Sequence, residues 1–210
     1  MTVSATHSPA QGDKIKTFQQ VQEVMGGVIQ KIYKKSIGAL PQEQRLDSGF
    51  TLLAAVGIGG ETRLFRIGDT RVEPVYGFAC AGIGAYLATY VAEGLYSPDM
   101  PLSRAIILAS YIVYVAKEHV PGCGKTTSII TLSKSQATFD WDQEIYACEG
   151  YFHSFDSSIK SLFLTCADTE TPDASFDQRV EEFVQSLQRM REHKKRYPDL
   201  DTLHYSEDLE

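Results

Sequence analysis

Apolar residues recur along this chain at two different periods, and the changes between them mark out its elements. From Phe18 they fall at Val21, Met25, Val28, Ile29, Ile32 and Tyr33, the three-and-four spacing of a helix with one apolar face. Thr17, with Gln20 three positions on, is a capping-box start, and Gly38 and Pro41 supply the stop. Gly26 and Gly27 interrupt this helix at a cost of about 1 kcal/mol each relative to alanine. That cost predicts another backbone packed closely against the same turn.

After Gly49 the pattern becomes extended. Residues 50–58 and 61–67 are β-type runs separated by Gly59–Gly60, which predicts a tight hairpin because primed turns need positive φ. A third run, residues 72–80, carries Pro74 and so belongs at a sheet edge or a strand start. Gly82 and Gly84 break it. A helix over 85–96, a turn at Ser97–Pro101 and a second helix to about Glu118 follow, with Pro101 suited to the first turn of the latter. After the loop VPGCGKT, residues 127–132 read as a strand, and 144–155 and 159–167 as two more extended segments. The last helix begins near Phe176 and sets Phe176, Val180, Phe183, Val184, Leu187 and Met190 on one stripe. It ends in the basic run Arg189, Arg191, Lys194, Lys195 and Arg196, read as a solvated helix end whose cations suit the C-terminal dipole. Strands joined by hairpins, with helices in blocks, predict an α+β fold rather than a doubly wound one.

Composition narrows the function. The 210 residues carry a formal net charge of −7, against the concentrated positive charge that nucleic acid requires. A hydrophobic fraction of 43% argues against disorder throughout. Cys80, Cys123, Cys148 and Cys166 are widely spaced, which excludes a zinc knuckle and a small disulfide scaffold. The start, MTVSATHSPAQGDK, has no apolar core of a secretory signal. The longest apolar stretch, residues 105–116, falls short of the ~20 needed to span a bilayer. A cytoplasmic protein, with no membrane and no nucleic-acid partner, is expected. Residues 1–13 read as a disordered N-terminus, 14–134 as the main domain, 135–197 as a C-terminal extension of strands plus a helix packing on it, and 198–210 as an acidic tail.

The segment PGCGKTTS, residues 121–128, looks like the end of a phosphate-binding loop. The full pattern needs glycine where His119 stands and a strand before a helix, whereas here a helix precedes and a strand is expected after. No nucleotide or other cofactor is expected. The histidines His7, His119, His153, His193 and His204 do not frame a metal site, and His153, alternating with Tyr151 and Phe155, reads as a sheet-face residue.

Three features in a fixed order resemble the second half of the proteasome subunit family. They are the hairpin LLAAVGIGGETRLFRI, the junction ACAGIGAYLATYVAEGLY, close to a G-x-G-x-x-x-A pattern, and the turn YSPDMPLSRAIILA, followed by a helix, a glycine-bearing loop and a strand. The resemblance covers roughly residues 17–134, about half of the chain. It implies a proteasome-like αββα sandwich lacking the family's first strands and first helix. It also implies an N-terminal-nucleophile hydrolase ancestry, in which a threonine with a free amine attacks a peptide carbonyl. The family's serine inside G-S-G falls on Ile83, between Gly82 and Gly84. Its D-x-x-S-G-G loop falls on His119, Gly122, Cys123 and Gly124. These seven residues are the binding candidates. Thr2, exposed if Met1 is removed, is the candidate nucleophile, though Lys14 and Lys16 stand too close to it in sequence to act as the family's lysine.

Missing sheet strands would leave unpaired edges and bare apolar faces. The expectation is therefore a non-catalytic structural or assembly subunit, in a homo- or hetero-oligomer of proteasome-like subunits. The alternatives are a threonine-type endopeptidase whose nucleophile half lies elsewhere, and a peptide-binding module without turnover, either one handling a peptide or protein substrate.

Overall fold

A computed structural model describes residues 15–40, 50–124, 126–132 and 142–195. Among these the chain is a mixed α+β protein with five helices and one three-stranded antiparallel sheet. They divide into two compact units, the first holding the described residues up to Tyr76 together with Leu132, and the second those from Gly77 to Thr131 and from Asp142 on. Thr2, Lys14, the rest of the N-terminal segment and the acidic tail lie outside the described residues.

In the first unit, helix α1 spans Phe18–Ser36. Its start is the expected capping box: Thr17 Oγ1 accepts from the Gln20 N–H at 3.2 Å, and Gln20 Oε1 accepts from the Thr17 N–H at 3.2 Å. The sheet runs β1 (Thr51–Ile58), β2 (Glu61–Gly68) and β3 (Arg71–Val75), in that order. Ile58 pairs with Glu61 across Gly59 and Gly60, whose φ angles of +60° and +85° are those of a primed two-residue turn. Pro74 lies on edge strand β3, opposite Phe65. The third run ends at Val75 and does not continue to Cys80 as expected; beyond it the Phe78 ring instead packs edge-on to Tyr96 at 5.2 Å.

The register puts Phe65 and Ile67 on the sheet face that meets α1. There, with Val72, they pack on Val21 and Ile29 of the helix, flanked by Phe18, Met25, Ala54, Val56 and Ile58. Arg63 stacks its guanidinium 4.5 Å from the Phe18 ring, and Gln22 Nε2 donates to the Val72 carbonyl at 2.6 Å. The opposite face of the sheet is also apolar in its middle, with Ala55, Leu64 and Val75 directly cross-strand and Leu53 beside them.

Gly26 and Gly27 do not meet a neighbouring backbone. A Cβ at either position would stand in open space among the described residues, so the expected close packing is corrected. The interruption is a plain loss of helix propensity. Gly27→Ala is accordingly expected to stabilise α1 by about 1 kcal/mol. Chemical denaturation checks this, and a lowered midpoint would show that another surface needs the glycine.

The second unit contains α2 (Ala85–Leu95), α3 (Leu102–His119), α4 (Asp142–Ala167) and α5 (Asp173–Lys195). Helix α4 overturns the two extended segments expected over 144–155 and 159–167. Cys148, Phe152, Phe155, Ile159 and Leu162 recur at alternating steps of four and three, a helical seam. The alternation of Tyr151, His153 and Phe155 is incidental: His153 is exposed while Phe152, between the first two, is buried. Within residues 126–132 only Ile130 makes a bridge, so the expected strand over 127–132 is absent there. Among the described residues the extension is therefore two helices, not strands plus one.

Helix α5 lies antiparallel on α4. Phe183 meets Phe155 at 5.6 Å between ring centroids, and Arg179 donates to the hydroxyls of Ser161 and Thr165, each at 2.9 Å. In the connecting turn the Asp168 carboxylate accepts from the Thr171 hydroxyl at 2.6 Å and the Glu170 N–H at 3.1 Å, bonds that hold it below the usual carboxylate range. No helix among the described residues is long and apolar enough to cross a membrane.

Candidate functional site

Two short turns in the second unit carry the binding candidates. The first precedes α2. The Gly82 carbonyl accepts from the Ala85 N–H at 3.1 Å, and α2 starts from Gly84 without a side-chain cap. The second follows α3. The Val120 carbonyl accepts from the Cys123 N–H at 3.1 Å, and Pro121 followed by Gly122 at φ +87° makes a type II turn.

The fold brings these turns together. A Cβ on Gly84 would stand 2.9 Å from Cys123 Sγ and 3.1 Å from the Ala116 Cβ, so the absence of a side chain there is what lets Cys123 seat. A Cβ on Gly122 would lie 3.7 Å from Ile83 Cδ1, which places the Ile83 side chain beside that turn. Ile83 is otherwise 66% exposed. Among the described residues Gly82 and Gly124 have open space where a side chain would stand, and His119 is the exposed last residue of α3. Lys16 is exposed in the first unit, where its N–H donates to Gln20 Oε1 at 2.8 Å.

Beside the second turn is a polar cluster that sequence reasoning missed. Lys117 Nζ donates to Glu149 Oε1 at 2.7 Å and to Thr127 Oγ1 at 3.1 Å, and Thr127 Oγ1 donates to the same Glu149 oxygen at 2.5 Å. The side chains of Lys117 and Glu149 are only 14% and 19% exposed, and Thr127 is 9% exposed. Each charge thus has its counter-charge and a hydroxyl, the condition on which a desolvated pair is tolerated.

An aromatic group packs nearby. The Tyr111 and Tyr114 rings lie 5.2 and 5.7 Å from Phe152, and the Tyr111 hydroxyl reaches Asp156 Oδ1 at 3.5 Å. Burial first, then the Asp156 carboxylate, pushes the Tyr111 phenol up. Burial, then the charges of Asp156 and Glu118, with smaller contributions from Tyr111 and Glu149, push Tyr114 up to about 12. Both phenols are therefore held as donors rather than bases. The signal for these residues was in the chain: on a helix, Glu149, Phe152 and Asp156 fall at i, i+3 and i+7 on one face. Reading 144–155 as extended hid it.

Among the described residues no group of three or more histidine, cysteine, aspartate or glutamate side chains is placed to hold a metal ion. Comparison with protein-family models, with curated proteins and with solved structures finds no match for this chain.

Proposed function

We propose that this chain is a non-catalytic proteasome-like subunit that serves a structural or assembly role in a cytoplasmic proteolytic or related complex. The observation that carries this reading is the sheet of the first unit. One face is covered by α1, and the other presents Ala55, Leu64 and Val75 in a cross-strand row with Leu53 beside them. The apolar row on that uncovered face, bordered there by Arg66 and Glu73, offers a seat for a second layer, as in the αββα sandwich that the motif order resembles. The Gly82–Gly84 turn lies beside the Gly122–Cys123 turn, and these are the two turns on which the resemblance sets its binding candidates. At the place where its pattern has a serine hydroxyl stands the alkyl side chain of Ile83, which supports a non-catalytic role.

A native mass spectrum of the purified chain, before and after a threonine-directed electrophile, tests this. An unlabelled homo-oligomer is the expected result. An unlabelled monomer would remove the assembly role. Label on this chain, with Thr2 as the first position to map, would replace the reading with a threonine-type peptidase.

A further inference from the structure

The polar cluster stands at both ends of the turn that carries Gly122 and Cys123. Lys117 lies on the last turn of α3, just before the Val120–Cys123 turn, and Thr127 lies just after it. Their side chains meet at 3.1 Å, and both are gathered by one carboxylate oxygen of Glu149, on α4. Between those two anchors, Cys123 Sγ lies against Gly84, 2.9 Å from where a Cβ on that glycine would stand. We propose that Glu149 is a latch: by holding both ends of this segment it fixes the Val120–Cys123 turn against the Gly82–Gly84 turn and so sets the spacing of the two glycine-bearing turns. Glu149 is thus a positioning residue for this pair of turns, acting through Lys117 and Thr127. The inference rests on the geometry of the second unit alone and holds whether or not the chain is proteasome-like.

The asymmetry of the cluster says what opening it would do. Removing Glu149 leaves Lys117 with a hydroxyl but no counter-charge, and a desolvated ammonium without its carboxylate turns outward to water. Thr127 loses its acceptor in the same step. Local opening of a segment scales with the free energy of the contacts that close it. The partly buried Cys123 thiol reports that opening, since lifting the turn exposes it further and raises its rate of alkylation.

The test is site-resolved alkylation of the full chain with iodoacetamide, read by peptide mass spectrometry. Glu149→Ala is expected to raise the Cys123 rate roughly tenfold or more, with Glu149→Gln, which keeps an acceptor, in between. The rates at Cys148, on α4 beside the substitution, and at Cys166, exposed near the end of α4, should stay unchanged. An unchanged Cys123 rate would overturn the latch, and so would an equal rise at all three thiols, which marks general loosening. Should Glu149→Ala not fold, Thr127→Val keeps the ion pair and frees only the far end of the segment. A several-fold rise at Cys123 alone is then expected, and no rise would overturn the proposal.

Discussion

Phe152→Ala is expected to destabilise the helical unit by about 3–5 kcal/mol, the range for removing a buried aromatic ring. Phe152 is 5% exposed and is the α4 residue that joins Tyr114 and Val115 of α3 in one buried cluster. Both tyrosine rings of α3 contact it, in edge and tilted arrangements that add to simple burial. Urea denaturation followed by far-ultraviolet circular dichroism reads the loss. A change under about 1 kcal/mol would mean that α4 is not held to α3 through this ring.

A second readout separates packing from general weakening. Tyr114 is raised from its usual 10.0 to about 12, with burial as the first cause. A phenol whose folded pKa is raised binds its proton more tightly folded than unfolded. The stability this contributes is fully present below about pH 10 and is lost as pH rises through about 12. Opening the space left by Phe152 admits water to Tyr114, so its alkaline absorbance transition should move down toward the ordinary phenol value.

How much of this architecture was legible in the chain depended on whether local chemistry stood alone. Thr17 with Gln20, and Gly59–Gly60 between two β-type runs, specify a helix start and a hairpin with no help from distant residues, and both form as expected. Helices α2 and α3 were bounded by Gly84 and Pro101 and came out within a residue or two of expectation. Helix α4 was not legible in the same way. It is rich in aromatic and small polar residues, which have no strong helix preference, and Tyr151, His153 and Phe155 happen to alternate. What decides it is tertiary: Phe152, packed against Tyr111 of α3, and Phe155, packed against Phe183 of α5, need one side of a single cylinder. Once that helix was misread, Glu149 had no face, and the cluster with Lys117 and Thr127 could not be assembled. A glycine alone is an unreliable mark of close approach: Gly84 does meet Cys123, while Gly26 and Gly27 meet nothing among the described residues.

Phe65→Ala should have a comparable effect on the first unit, again about 3–5 kcal/mol. Phe65 is 1% exposed at the centre of the sheet, between Ala54 on β1 and Pro74 on β3. Neither neighbour has a side chain long enough to fill the vacated volume, so the site collapses poorly and the cost lies toward the upper part of that range. The Phe18 ring, 6.4 Å from the Phe65 centroid, loses its partner, and the first turn of α1 loses its seat on the sheet. Phe65→Leu keeps most of the apolar volume and should cost less than half as much. Thermal and urea denaturation of the two variants rank them. If Ala and Leu were equally mild, the docking of α1 would rest on Val21 and Ile29 with Ile67 and Val72, and not on this ring. The far side of the same strand supplies the contrast: Leu64 faces away from α1, paired with Ala55 and Val75, and in the isolated chain its truncation removes much less buried surface. If the proposed second layer forms over that row, Leu64→Ala should weaken assembly while Phe65→Ala weakens folding, so the two faces of one strand separate the two roles.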